Sequence, residues 1–173
     1  MPIRPDRAAS EDAAKDAALR ILGRGPRTER EVLDRLLARG FVPDAVERAV
    51  ERLRRVSLVD DRAFVRSFLR LEVARKPQGR RLLRATLKRR GIAPALLEEL
   101  DELVAEDPDL SERELHTEEG RARAALSQIT RRARGAPGPA RSRKLASALM
   151  RRGFDWSVVR DLVSGPEEES EPQ

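Results

Sequence analysis

One short phrase occurs three times in this chain: Ala-Arg-Gly-Phe at residues 38–41, Arg-Arg-Gly-Ile at 89–92 and Arg-Arg-Gly-Phe at 151–154. Aligned on Gly40, Gly91 and Gly153, the copies share Leu36, Leu87 or Leu149 four residues earlier, and Val32, Leu83 or Leu145 eight earlier. The residue just after each glycine is Phe41, Ile92 or Phe154. Apolar residues at that spacing line one face of a helix. A glycine that ends the helix takes the left-handed conformation cheaply, so that the residue after it folds back onto the leucine four before it. Pro43 and Pro94 then stand where a new helix would begin, and Asp155 is placed to cap one in the third copy. Apolar residues follow six and nine after each glycine: Val46 and Ala49, Leu97 and Leu100, Val159 and Leu162. The repeated unit is therefore a helix, a glycine turn and a second helix.

A further helix is expected before each pair, over 12–22, 61–75 and roughly 117–133. Thr28 with Glu31 has capping-box spacing, and Asp60 and Asp61 stand as helix caps ahead of Ala63, Phe64 and Phe68. The chain thus reads as an all-α protein of three tandem three-helix modules, about nine helices in an elongated, curved helical repeat. The boundaries are a disordered N-terminus over 1–11, modules at 12–59, 60–105 and 117–164, an acidic linker or insertion at 106–116 and a disordered acidic tail at 165–173. Composition agrees with thin, repeated packing: charged residues are 38% of the 173 and aromatics 3%, against about 25% charged in ordinary domains. The absence of cysteine removes disulfides and thiolate metal sites. No apolar run approaches the roughly 20 residues of a membrane span, so no membrane partner and a cytoplasmic location are expected.

A net charge of +6 and a pI near 10.7 point to nucleic acid, or to a partner wrapped around it. The charge is uneven. Residues 75–93 hold eight cations and no acid, 120–154 hold ten and no acid, and 98–119 hold eleven acids and one arginine. At about 100° per residue, Arg80, Arg81, Arg84 and Lys88 fall within an arc of roughly 100°, while Leu82, Leu83, Thr86 and Leu87 cover the other side. These four cations, with Lys76, Arg131, Arg132, Arg143 and Lys144, are the candidate partner or nucleic-acid contacts. A solvated face is the competing reading of any such stripe.

Signals for chemistry are weak. No glycine-rich loop runs into Lys-Ser or Lys-Thr, so no phosphate-binding loop is present. His116 is the sole histidine and lies in an acidic stretch, which leaves no catalytic or metal cluster around it. Asp60 and Asp61 could hold Mg²⁺, but adjacent acids at a helix start suit capping better, and no metal or other cofactor is expected. Trp156 fits core packing better than a partner-facing role. Two other functional classes compete. One is a helix-turn-helix transcription regulator, although the second helix of each pair is acidic or mixed where base-reading cations would be needed. The other is a helical-repeat scaffold, which predicts little salt-sensitive affinity for DNA.

The stretches "REVLDRLLARGF" (30–41), "LVDDRAFVRSFL" (58–69), "PQGRRLLRATLKRRGI" (77–92) and "RKLASALMRRGFDWSVVRDLV" (143–163) resemble the RecX family, bacterial regulators of the RecA recombinase. The resemblance covers roughly residues 12–163; the acidic 106–116 and the Gly- and Pro-rich 133–143 depart from the family pattern. It implies a small, curved, all-helical monomer that performs no chemistry. Such a protein binds RecA filaments on single-stranded DNA and limits their extension, ATP hydrolysis and strand exchange, in the setting of homologous recombination and the SOS response. Contact with single-stranded or double-stranded DNA is implied as well.

Overall fold

The computed structural model describes residues 4–132 and 139–164; the acidic tail expected over 165–173 and the segment 133–138 lie outside them. In chain order the helices are α1 (Pro5–Ala8), α2 (Glu11–Leu22), α3 (Glu29–Leu37), α4 (Pro43–Arg55), α5 (Asp61–Phe68), α6 (Arg80–Arg89), α7 (Pro94–Glu98), α8 (Leu100–Ala105), α9 (Pro108–Glu112), α10 (Glu118–Arg132), α11 (Pro139–Arg151) and α12 (Trp156–Ser164). A π-helical stretch, Leu69–Val73, extends α5. Among the described residues there is no strand, and no helix is long and apolar enough to cross a membrane.

Among the described residues twelve α-helices stand where about nine helices were expected, for local reasons. The long helix anticipated after Pro94 is interrupted at Glu99 into α7 and α8. The acidic stretch 106–116 is folded: Asp107 is 4% exposed, caps α9 by accepting from Leu110 N–H at 3.1 Å, and pairs with Arg70 at 2.8 Å. At the other end, Ser10 caps α2 through Ala13 N–H. The Ala8 carbonyl accepts from Val42 N–H at 3.0 Å, so residues 4–10, expected to be disordered, are tied to the first helix pair.

The chain forms two compact units, one of residues up to Ser67 with Leu87–Glu98, the other of Phe68–Thr86 with the residues from Glu99 on. In the first, Ala14, Ala17 and Ala18 of α2 let its backbone approach Val32 and Leu36 of α3 and Val46 and Val50 of α4. In the second, Ala122 and Ala125 of α10 meet Leu149, Phe154 and Val159. Alanine faces replace bulky side chains, which is how a chain so poor in aromatics closes its cores.

Gly40, Gly91 and Gly153 take φ of 89°, 84° and 81°. At each, the next residue donates to the carbonyl five back (Phe41 to Leu36, Ile92 to Leu87, Phe154 to Leu149), and the glycine to the carbonyl three back, the Schellman pattern. The same pattern ends α4 at Ser57 and α9 at Glu114, with φ of 56° and 55°. A side chain in the left-handed region is unfavourable at both. Ser57→Gly should therefore raise stability by about 0.5–1 kcal/mol, relief of strain exceeding the added unfolded-state entropy. A denaturation midpoint that falls instead would contradict this turn geometry.

Candidate functional site

A joint of the same kind occurs within each unit around the basic helix α6. At its start, within the second unit, Gly79 N–H donates to the Arg152 carbonyl at 2.9 Å and Arg80 N–H to Glu118 Oε1 at 3.3 Å. Near its end, within the first unit, the Thr28 hydroxyl donates to the Arg90 carbonyl at 2.6 Å and Glu29 N–H to Asp61 Oδ1 at 2.8 Å. In both joints the start of one helix (α3 or α6) meets the residue before a turn glycine, and a carboxylate that opens another helix (α5 or α10) takes an otherwise orphan backbone donor. The glycines permit the approach. A Cβ on Gly153 would stand 2.4 Å from Leu82 N, one on Gly79 2.2 Å from the Gly153 carbonyl oxygen, and one on Gly91 2.3 Å from Arg30 Cβ.

Asp60 and Asp61 divide the capping between them. Asp60 accepts from Ala63 N–H of its own helix at 2.9 Å, while Asp61 caps α3. Both carboxylates are thus engaged by backbone amides, an arrangement that satisfies them without a cation. Burial, which the Glu29 N–H only partly offsets, pushes the Asp61 carboxyl above its usual range, with Asp60 and Glu31 adding to the effect.

Arg90 binds Glu31 with two nitrogens, at 2.7 and 3.2 Å, and lies 4.5 Å over the Phe64 ring. Burial opposes ionisation of Glu31, but Arg90, the Thr28 backbone N–H and Arg27 outweigh it and hold the carboxyl below its usual range. A depressed folded value stabilises the fold above the unfolded value of about 4.3, and that stability is lost as pH falls through the folded one. Asp61 has the opposite sign: its raised folded value favours the fold when protonated and counts against it once ionised. Glu31→Gln should therefore lower stability at pH 7 by about 1–2 kcal/mol, with the difference from the parent closing below about pH 4. Asp61→Asn, which keeps an acceptor for Glu29 N–H, should change it by less than about 0.5 kcal/mol or raise it. Denaturation midpoints of the three proteins across pH 3–8 check both signs.

On α6, Leu83 and Leu87 are buried, at 1% and 0% exposure, so the opposite face points outward. Arg80, Arg81 and Lys88 are exposed and Arg84 half-buried. They are not equivalent. Arg80 is bound by Asp101 at 3.1 Å, and this carboxylate, with Glu118 and Asp155 beyond, pushes its guanidinium further above the usual arginine range. Arg81, Arg84 and Lys88 make no ion pair among the described residues. Of the other candidates, Lys76, Arg131, Arg143 and Lys144 are exposed and likewise unpaired there, on the segment before α6, on α10 and on α11. The side chain of Arg132 lies outside the described residues.

Several cations in the acid-free runs are structural instead. Arg121, 4% exposed, donates to the carbonyls of Gln78, Leu115 and His116, and burial lowers its pKa. The arginine before each turn glycine, common to the three copies, folds back: Arg39 onto the Ala17 carbonyl, Arg90 onto Glu31, Arg152 onto Gln128. Their shared place in the repeated phrase was the sequence signal for this role. Trp156, expected to pack in the core, is 58% exposed. It is the first residue of α12, and the buried positions here go to Phe154, just before the helix, and to Val159 within it. On α4, Arg48 pairs with Glu11, Arg52 with Glu11 and Asp12, and Arg54 and Arg55 with Glu51.

Family models described as the first, second and third three-helix domains of RecX match residues 14–53, 60–100 and 117–163. A protein of Halorhodospira halophila named regulatory protein RecX is 32% identical over 164 residues, 94% of each chain. One of the same name from Chlorobaculum tepidum is 31% identical over 153 residues, 88% of each. The crystal structure of RecX from Lactobacillus salivarius superposes with a TM-score of 0.70 at 18% identity, covering 93% of this chain and 96% of that one, a likeness of fold alone.

Proposed function

This chain belongs to the RecX family of regulatory proteins, and from that premise we propose that it is a non-enzymatic modulator of a RecA recombinase. It binds recombinase filaments on single-stranded DNA and limits their extension, ATP hydrolysis and strand exchange. The observation that carries this reading is the outer face of α6, where Arg81, Arg84 and Lys88 have no counter-ion among the described residues. Unpaired cations on a rigid helix attract a polyanion or an acidic protein groove, and lose that attraction with salt. A single helix carries these side chains at fixed spacing, so they need little ordering on contact. Inhibition is then steric, with no bond made or broken by this chain.

A helix-turn-helix regulator fits less well. Its base-reading helix would be the second of a pair, and the cations of α4 are tied to Glu11, Asp12 and Glu51 while Arg160 of α12 is tied to Asp161. Co-sedimentation with filaments of the cognate recombinase on a dT oligomer tests the proposal. Pelleting with the filament supports it. A protein that stays in the supernatant, yet binds duplex DNA with sequence preference, would favour the regulator.

A further inference from the structure

Residues 98–119 hold eleven acids, and one of them, Asp101, reaches a cation of the basic face of α6. Its position is set by packing: Leu100, Leu103 and Val104 of α8 are buried, so Asp101 belongs to an anchored helix. Asp101 Oδ2 binds Arg80 Nη1 at 3.1 Å, with both side chains about half exposed. Two further carboxylates act on the same guanidinium, Glu118 at the start of α10 and Asp155 just ahead of α12. All four residues belong to the second unit.

This convergence singles out one cation. Arg80 falls in the same arc of α6 as Arg81 and Arg84, yet neither of those makes an ion pair among the described residues. The fold has little need of the Asp101 contact. Glu118 already accepts from Arg80 N–H, and Gly79 N–H, donating to the Arg152 carbonyl, holds the start of the helix. A half-exposed ion pair adds little stability of its own. Its effect falls on the outer face of α6, where it occupies the first cation and places negative charge in the path of an approaching anion.

We propose that Asp101 is a built-in competitor for the partner of α6, holding Arg80 out of the contact and so limiting affinity for the filament. The proposal rests on the functional reading above, in which the filament meets the cations of α6. An anion that reaches Arg80 must displace a carboxylate carried by the same chain and therefore always at hand, whereas Arg81 and Arg84 are open to it. The contact is thus weaker than the cations of the helix would permit.

The test measures affinity for cognate recombinase filaments on a dT oligomer across salt concentrations, using full-length variants whose circular-dichroism melting curves match the parent. Asp101→Asn keeps an acceptor for Arg80 and removes the charge. It should raise affinity about three- to fivefold at roughly 50 mM salt, the scale of one exposed ion pair, and steepen the fall of affinity with salt by about one further contact. Asp101→Ala should act in the same direction. Two comparisons separate the pair from net charge. Glu102→Gln, at the next residue of α8, exposed and unpaired among the described residues, makes the same change in charge and should alter affinity by less than about twofold. Asp101→Asn combined with Arg80→Ala should lose the gain. Affinity unchanged in both Asp101 variants overturns the proposal, and so does a gain matched by Glu102→Gln or kept without Arg80; a parent that binds filaments in those cases leaves the functional reading standing. A parent that binds no filament even at low salt rejects that reading, and the proposal with it.

Discussion

Gly153→Ala is expected to destabilise the second unit by about 2–4 kcal/mol, more than a methyl at any glycine in open space. The left-handed backbone of Gly153, φ 81°, accounts for about 1 kcal/mol of this once it carries a side chain. The remainder comes from the joint. The added Cβ would stand 2.4 Å from Leu82 N and 2.5 Å from Leu82 Cβ, so the start of α6 must retreat and loosen the bond from Gly79 N–H to the Arg152 carbonyl. Gly25→Ala is the comparison without a clash, since nothing lies within 4 Å of a new Cβ there; its φ of 125° still disfavours a side chain, so it should cost about 1–2 kcal/mol. Gly91→Ala should cost about as much as Gly153→Ala, roughly 2–4 kcal/mol, because the nearest atom it meets, Arg30 Cβ at 2.3 Å, is fixed by the backbone of α3 and cannot rotate away. Chemical denaturation of the three variants ranks them. A Gly153→Ala no worse than Gly25→Ala would mean that the joint is looser than described.

The parts of this architecture legible in the sequence are those whose signal is local. A Schellman turn depends on residues from four before the glycine to one after it, so Leu36 with Phe41, Leu87 with Ile92 and Leu149 with Phe154 announced themselves. The turns at Ser57 and Glu114 carry the same hydrogen bonds without the glycine, and no sequence signal marked them. The joints were illegible for another reason: Thr28 with Arg90, and Gly79 with Arg152, are more than sixty residues apart. Charge patterning gave the face of α6 but not its pairing. Asp101 lies on a different helix, and only the fold brings it to Arg80. The same holds for Arg121, in sequence one of the ten cations of the acid-free run 120–154 and in the fold buried on carbonyls.

That pairing decides which charges to reverse. Arg81→Glu with Arg84→Glu should weaken filament binding by about 10–100-fold at roughly 50 mM salt, with the loss shrinking as salt rises, because two favourable charges become two unfavourable ones where screening is least. Arg80→Glu alone should do less to binding, since Asp101 already neutralises that guanidinium, and should disturb the start of α6. The control is Arg20→Glu with Arg35→Glu, exposed cations of α2 and α3 that are unpaired among the described residues and make the same change in net charge. If both doubles weaken binding equally, the effect belongs to net charge and not to α6.

The central claim, that this chain restrains a recombinase filament through the cations of α6, is tested most directly by the ATP hydrolysis of the cognate recombinase on single-stranded DNA, titrated with parent and Arg81→Glu, Arg84→Glu protein at several salt concentrations. The account predicts that the parent suppresses hydrolysis, that higher salt raises the concentration required, and that the variant, with its melting curve unchanged, suppresses poorly at low salt. A folded variant that suppresses hydrolysis as well as the parent at every salt concentration would contradict it, and would make the outer face of α6 a solvated surface with no part in the contact.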